Sequence, residues 1–227
     1  MKTLGIIPAR GGSKGIPKKN IQLLGGKPLV AYTIEASLES KKLTRTILST
    51  DDEEIADISR KYGVEVPFIR PKAISTDSSN AIEVIKHALN ELEQDNIIYD
   101  YIVMLQPTSP FRTSYDIDGS LELLVEQKAD SVISVVDVGS YHPARMKFID
   151  NETLIDPPFA EKYENQPRQE LLPMFIRNGA IYATKRSVIM NGSFKGKVCK
   201  PWIMNNIKSI NIDTLMDLEY AEWLMQK

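Results

Sequence analysis

Leu4-Gly5-Ile6-Ile7-Pro8 runs directly into Ala9-Arg10-Gly11-Gly12-Ser13-Lys14-Gly15-Ile16-Pro17-Lys18-Lys19-Asn20. The apolar run reads as a buried strand. The segment after it reads as a glycine-rich loop carrying Arg10, Lys14, Lys18 and Lys19. Glycines let backbone N–H groups turn toward a ligand at close range, and such concavities bind anions. Arg10 offers a planar fork for phosphate oxygens, whereas Lys14 and Lys19 offer point charges. This arrangement suits a polyphosphate and hence a nucleotide. The spacing of Gly11, Gly12 and Gly15 matches neither the P-loop nor the Rossmann fingerprint. A solvated basic turn would account for the cations, but it does not call for three glycines beside a strand.

Strand and helix patterns alternate beyond this loop. Leu29 opens a helix to about Ser40, with Pro28 in its first turn. Thr46-Ile47-Leu48-Ser49 reads as a strand ending in Thr50-Asp51-Asp52. Asp52 caps a helix through Tyr62, which Gly63 closes. Val64 to Ile69 reads as a short strand that Pro67 keeps near an edge. Asp77-Ser78-Ser79 precedes a long amphipathic helix to about Gln94. Tyr101 to Leu105 is a continuous apolar run, the pattern of a strand buried on both faces. A helix from Ser114 to Gln127 and a strand from Ser131 to Val136 follow. The alternation predicts an α/β fold, a three-layer, Rossmann-like, mostly parallel sheet with helices on both faces.

From Gly139 to Phe175 the rhythm breaks, with Pro143, Pro157, Pro158, Pro167 and Pro173. A segment this long inside a compact domain is usually functional or covered by a partner. It reads as an inserted lid or a protruding dimerisation arm. Phe148, Leu154, Ile155, Phe159, Tyr163, Leu171 and Leu172 want burial, which argues against a disordered insertion. The core pattern returns at Gly179-Ala180-Ile181-Tyr182-Ala183. A last strand, Ser209 to Ile212, leads into Asp213 and a C-terminal helix with Leu215, Leu218, Ala221, Trp223 and Leu224. The expected organisation is a single domain over 1–227 with an inserted segment at 139–175.

Composition narrows the function. With 28 basic against 30 acidic residues the net charge is −2, which argues against a general nucleic-acid role and leaves the cations to act locally. Cys199 is the sole cysteine, which rules out an intrachain disulfide and a cysteine zinc site. The N-terminus lacks the apolar region of a signal peptide, and no run approaches a membrane helix in length. A cytoplasmic protein with no membrane partner is expected.

In an open α/β sheet, ligands bind beyond the carboxyl ends of the strands. The polar segments there are Arg10 to Asn20, Thr50-Asp51-Asp52, Gln106-Pro107-Thr108-Ser109-Pro110-Phe111-Arg112, and Asp213. A triphosphate calls for a divalent cation, and Mg²⁺ is usually held by one or two carboxylates plus phosphate oxygens. Asp213 is the candidate ligand. Asp51 and Asp52 read as caps and Lys18 as solvated. His87 reads as structural, and His142 as a weak candidate for a ligand contact. Arg112 reads equally as a structural ion pair or a site residue.

Five blocks carry a resemblance. The run from Pro8 to Asn20 resembles the signature of acylneuraminate cytidylyltransferases, the CMP-sialic acid synthetases. So do Leu105-Gln106-Pro107-Thr108-Ser109-Pro110-Phe111-Arg112, Gln166-Pro167-Arg168-Gln169, Arg177-Asn178-Gly179-Ala180-Ile181-Tyr182 and Ser209-Ile210-Asn211-Ile212-Asp213-Thr214. The resemblance implies a nucleotide-diphospho-sugar-transferase-like fold. It also implies a reaction in which the anomeric hydroxyl of a nine-carbon α-keto acid sugar attacks the α-phosphorus of CTP, with Mg²⁺ as cofactor and pyrophosphate leaving.

The same resemblance implies roles by position. Ala9, Arg10, Gly11, Gly12, Ser13, Lys14, Lys19 and Asn20 would hold the nucleotide, with Asp77, Ser78 and Ser79 on its cytidine side. Gln106, Arg168, Arg177 and Tyr182 would meet the sugar, Arg168 and Arg177 partly from a neighbouring subunit. Arg10, Lys19, Gln106 and Asp213 would form the catalytic set, with Asp213 holding the metal. A homodimer sharing its active sites is implied, with the 139–175 segment crossing to the partner.

Two departures stand out. Many members carry Asp-x-Asp where this chain has Asn211-Ile212-Asp213, which removes a carboxylate and puts a two-metal site in question. Asp217, one helical turn later, reads as a helix-face ion pair or a further ligand. Phe194-Lys195 replaces paired aromatics beside the sugar's side chain and suggests a differently decorated sugar, with legionaminic acid as the competitor to N-acetylneuraminate. Two alternatives remain at this point: a same-fold nucleotidyltransferase for another sugar acid, and a catalytically inactive nucleotide-binding module.

Overall fold

A computed structural model describes residues 1–93 and 97–227. The expected helix end at Gln94 lies outside the described residues. In chain order the strands are β1 (Thr3–Pro8), β2 (Leu23–Leu24), β3 (Lys27–Pro28), β4 (Arg45–Ser49), β5 (Tyr101–Met104), β6 (Ser131–Asp137), β7 (Phe148–Asp150), β8 (Thr153–Ile155), β9 (Phe175–Lys185) and β10 (Cys199–Ile203). The helices are α1 (Leu29–Leu38), α2 (Glu53–Lys61), α3 (Ala81–Glu93), α4 (Ser114–Glu126), α5 (Arg186–Met190) and α6 (Leu215–Met225).

The main sheet has the order β10-β6-β9-β5-β1-β4. β1 lies parallel to β4 on one side and β5 on the other, with Ile6 opposite both Ile47 and Met104. β9 runs antiparallel to β5 and to β6, and β10 runs parallel to β6. Five strands therefore share one direction and β9 opposes them. The mostly parallel three-layer expectation holds.

Alternation along the strands assigns the two faces. Ile7, Leu48, Val103 and Leu105 pack under Val30 and Ile34 of α1, Ile55 of α2 and Leu121 of α4. Leu4, Ile6, Ile47, Ile102 and Met104 pack on the opposite face under Ile85 and Leu89 of α3 and Ile189 of α5. Asp52 Oδ1 accepts from the Ile55 N–H at 3.1 Å and caps α2, a contact worth about 1 kcal/mol. Gly63 closes that helix at φ +89°, in the left-handed region that disfavours a side chain.

Several element expectations need correction. Val64 to Ile69 forms only two single bridges to the β4 side, Glu65 with Ile47 and Ile69 with Thr50, because Pro67 cannot donate to a ladder. The last strand is absent. Ile207–Ser209 make one 3₁₀ turn, and Ile212 is tied instead by its N–H to the Thr108 carbonyl at 2.8 Å. β10 had no counterpart in the sequence reading; Pro201 and the polar pattern of an edge strand hid it.

Between Ile133↔Tyr182 and Val135↔Arg177 the β6–β9 register shifts, so β9 carries three extra residues in a bulge. Asn178, buried in that bulge, fills the slack. Its Oδ1 accepts from Ser134 Oγ at 2.6 Å and from the Ala180 N–H at 3.2 Å, and its Nδ2 donates to Ser209 Oγ at 2.9 Å. Bulges of this kind re-aim side chains beside active sites. The 139–175 segment carries the β7–β8 hairpin, whose Phe148, Ile149 and Leu154 are exposed. No helix among the described residues is long and apolar enough to cross a membrane.

Candidate active site

The five co-directional strands end at one edge, and the loops that follow β1, β4 and β5 meet there. β9 reaches the same edge from the other direction. Tyr182 pairs with Met104 at the end of β5, so Gly179 and Arg177 extend past it. A cavity of about 720 Å³ opens at this edge, lined by Arg10, Lys14, Lys19, Asp77, Gln106 and Asp213 among others. A second cavity of about 360 Å³, lined by Arg177, Gly179 and Tyr182, shares Gln106 and Asn211 with the first.

The phosphate-type loop is anchored from below. Ile16, 1 % exposed, packs with Ile212 and with Ala221 of α6, which fixes the loop to the C-terminal segment. Gly15 allows the close approach. A Cβ there would stand 2.3 Å from the Asp213 carbonyl oxygen. The result is an ion pair across 194 residues of sequence, with Lys19 Nζ donating to Asp213 Oδ1 at 2.7 Å. Lys19 is largely covered while Asp213 faces out.

Higher on the loop, Arg10 Nη2 lies 2.6 Å and Lys14 Nζ 2.7 Å from the two oxygens of Asp77. Lys14, with Arg10, holds the Asp77 carboxyl below the ordinary carboxylate range. Asn20 is buried and braces the loop by donating from Nδ2 to the Arg10 carbonyl at 2.9 Å.

Of the sequence-predicted residues, Arg10, Ser13, Lys14, Lys19, Asn20, Asp77, Ser79, Gln106 and Asp213 come together in the larger cavity. Arg177 and Tyr182 come together in the smaller one. Burial raises the Tyr182 hydroxyl above its ordinary value against the opposing pull of Arg177. Ala9, Gly11, Gly12 and Ser78 do not line either cavity. The Ala9 side chain is wholly buried, and the Gly11 N–H points to Asp51 Oδ1 at 3.0 Å. Arg168 sits apart in a third cavity, paired with Asp137 at 2.9 Å.

The remaining candidates resolve by their contacts. His142 lines that third cavity, held between the Leu172 carbonyl and the Ala144 N–H. His87 packs edge-on against Phe68 at 5.1 Å. Lys18 is exposed, as expected, and pairs with Glu54 at the surface. The expected helix-face ion pair of Asp217 gives way to a cap. Asp217 completes a capping box on Thr214 and accepts from the Asp213 and Thr214 N–H groups. Phe194 packs on Tyr182 at 5.4 Å, and neither it nor Lys195 lines the two joined cavities.

Arg112 is structural in a way the sequence did not indicate. It is fully buried, and its Nη1 donates to the Ala180 carbonyl at 2.9 Å and the Gln106 carbonyl at 3.3 Å. Burial pushes its guanidinium down to about 9, with Asp116 opposing. Arg70 was missed altogether. It lines the large cavity, is 3 % exposed, and lies 3.7 Å from Asp51. Its position just after the segment paired beside β4 is the strand-end signal that also marks Gln106.

For a divalent cation the protein's own donor set is sparse. Among the described residues no cluster of three His, Cys, Asp or Glu side chains forms a metal cage. Asp213 accepts from Lys19 at Oδ1 and from Asn211 Nδ2 at Oδ2. The second contact sets the amide orientation, because a flipped Asn211 would place oxygen against oxygen. Asn211 Oδ1 is buried with no hydrogen-bond partner among the described residues. A single outward carboxylate beside a polycationic loop matches a hydrated Mg²⁺ held partly by phosphate oxygens rather than a dedicated protein cage.

Residues 4–227 match the family profile described as Cytidylyltransferase. The chain is 38% identical to the CMP-N,N'-diacetyllegionaminic acid synthase of Legionella pneumophila over 229 residues, covering all of this chain and 97% of that protein. It is 33% identical to the pseudaminic acid cytidylyltransferase of Campylobacter jejuni, covering 99% of this chain and 96% of that protein. Among solved structures, a CMP:2-keto-3-deoxy-manno-octonic acid synthetase complexed with CTP superposes with a TM-score of 0.75 at 17% identity, over all of this chain and 99% of the other. That last likeness supports the fold.

Proposed function

The chain belongs to the cytidylyltransferase family, and from that premise we propose that it transfers CMP from CTP to a nine-carbon α-keto acid sugar of the legionaminate, pseudaminate and sialate class. The observation that carries the reading is the pair of joined cavities. A cationic nucleotide-sized space meets a second space bearing Arg177 and Tyr182, with Gln106 and Asn211 on the wall between them.

The proposed roles follow from charge and position. Arg10, Lys14 and Lys19 neutralise the triphosphate, and Arg10 brings the fork that suits two phosphate oxygens. Binding requires Asp77 to yield or share these cations. Ser79 and Asp77 border the nucleoside end. Gln106 and Tyr182 orient the sugar, and Arg177 meets its carboxylate. The anomeric hydroxyl is thereby aimed at the α-phosphorus and pyrophosphate departs, a reaction that depends chiefly on positioning and electrostatic stabilisation. Asp213 is the residue that would hold Mg²⁺, whose contribution would be charge neutralisation on the triphosphate.

The exposed apolar residues of the 139–175 segment support its reading as a dimerisation arm. Patches of this kind mark interaction sites. Arg168, remote from the joined cavities of its own chain, is then placed to serve the partner's site. A cytoplasmic enzyme is consistent with CTP as substrate.

The direct test is pyrophosphate release with CTP and Mg²⁺, offering N,N'-diacetyllegionaminate, pseudaminate and N-acetylneuraminate in parallel. Turnover is expected with at least one, with loss of release on chelation by EDTA and recovery on adding Mg²⁺. The ratio of kcat/KM values identifies the sugar. CTP binding with no release from any of them would overturn the assignment.

A further inference from the structure

Gln106 occupies an unusual seat. Its carbonyl is pinned by the buried Arg112, which ties it to the Ala180 carbonyl across the β5–β9 boundary. Its side chain then leans over Gly179. A Cβ on Gly179 would stand 2.6 Å from Gln106 Oε1 and 3.7 Å from both Gln106 Cδ and Asn211 Oδ1. Real side chains do not approach a Cβ at 2.6 Å, so the Gln106 amide rests where a side chain at residue 179 would be. Gly179 is brought there by the β9 bulge and lies at φ +79°.

We propose that Gly179 is a positioning residue for this reaction: its missing side chain is the seat that holds the Gln106 amide between the nucleotide and sugar cavities. The inference rests on the reading of Gln106 as a sugar contact. Two properties of Gly179 are separable here. One is the positive φ, which Asn also tolerates. The other is the empty space, which Asn would fill. If φ alone mattered, Gly179→Asn would be close to silent. If the space matters, Gly179→Asn and Gly179→Ala both evict the amide.

The experiment is a double-mutant cycle with whichever sugar turns over in the pyrophosphate assay. Gly179→Ala and Gly179→Asn are each expected to lower kcat/KM for the sugar by roughly tenfold, the size of one lost hydrogen bond, while KM for CTP stays within about twofold. In a Gln106→Ala background neither substitution should cost more than about twofold further, because the amide being positioned is gone. A full tenfold loss in that background would show that the glycine acts through backbone strain, and would overturn the proposal while leaving the Gln106 reading intact. A Gly179→Asn enzyme with wild-type sugar kinetics would overturn it too. If Gln106→Ala alone leaves the sugar kcat/KM unchanged, the role of Gln106 falls and the positioning proposal falls with it. Thermal midpoints of each variant confirm that folded enzyme is being compared, and the asparagine variant serves if alanine at φ +79° prevents folding.

Discussion

Lys19→Ala is expected to reduce kcat by roughly a thousandfold with the fold intact, at the upper end of what removal of one preorganised electrostatic donor costs. Three features set this magnitude. Lys19 is only 14 % exposed, so its charge acts with less screening than that of a surface lysine. Its position is fixed by the 3₁₀ turn Lys19–Ile21 and by the buried Ile16 just before it. It is also the cation in contact with Asp213, so its loss frees the carboxylate that would hold the metal. The cost to the fold should be small, because the pair spans the surface of the cavity rather than the core. Steady-state pyrophosphate release and a thermal melt decide it. Activity within tenfold of wild type would remove Lys19 from the catalytic set.

Gly15→Ala is the second large expectation, and it tests architecture rather than charge. The new methyl would meet the Asp213 carbonyl oxygen at 2.3 Å, and this contact is with backbone, which no rotamer change can relieve. Either the loop lifts or the 210–213 segment retreats, and both part Lys19 from Asp213. A displacement of about 1 Å at reacting groups can cost roughly a hundredfold, and a loss of that order in kcat/KM is expected. Circular dichroism should remain native, since Gly15 and Ile16 lie outside the two main core clusters. A Gly15→Ala enzyme with near-normal kcat/KM would mean that the loop and the Asp213 segment move independently.

The parts of this molecule that were legible in the sequence are those specified by local pattern. Leu4 to Pro8 announced a buried strand by being apolar throughout, and Asp52 with Gly63 marked both ends of α2. The loop cations, Gln106 and Asp213 were found because each follows a strand or a strand-like segment at the ligand-binding edge. What escaped was set by tertiary context. β10 carries Pro201 and Lys200 because it is an edge, so its pattern is not that of a buried strand. The β9 bulge depends on the slack between two strands, and no residue type encodes that count. Asp217 sits one turn from Asp213, where a ligand and a cap have the same spacing; only the geometry of Thr214 distinguishes them. Arg112 was undecided because its partners are carbonyls, and carbonyls leave no trace in a sequence.

The reversed direction of β9 also bears on how the protein is made. β5 and β6 never touch as neighbours; β9 stands between them and pairs with both. During synthesis the β4-β1-β5 half emerges first, and β5 presents an open, apolar edge until residues 175–185 have left the ribosome. β6 emerges in the meantime with no place in the sheet. Unpaired strand edges of this kind are where nascent chains associate wrongly. The 139–175 segment is synthesised within that interval, so a stretch rich in exposed apolar side chains appears while the edge beside it is still unsealed. Chaperone demand during expression should therefore concentrate on chains stalled between β6 and β9.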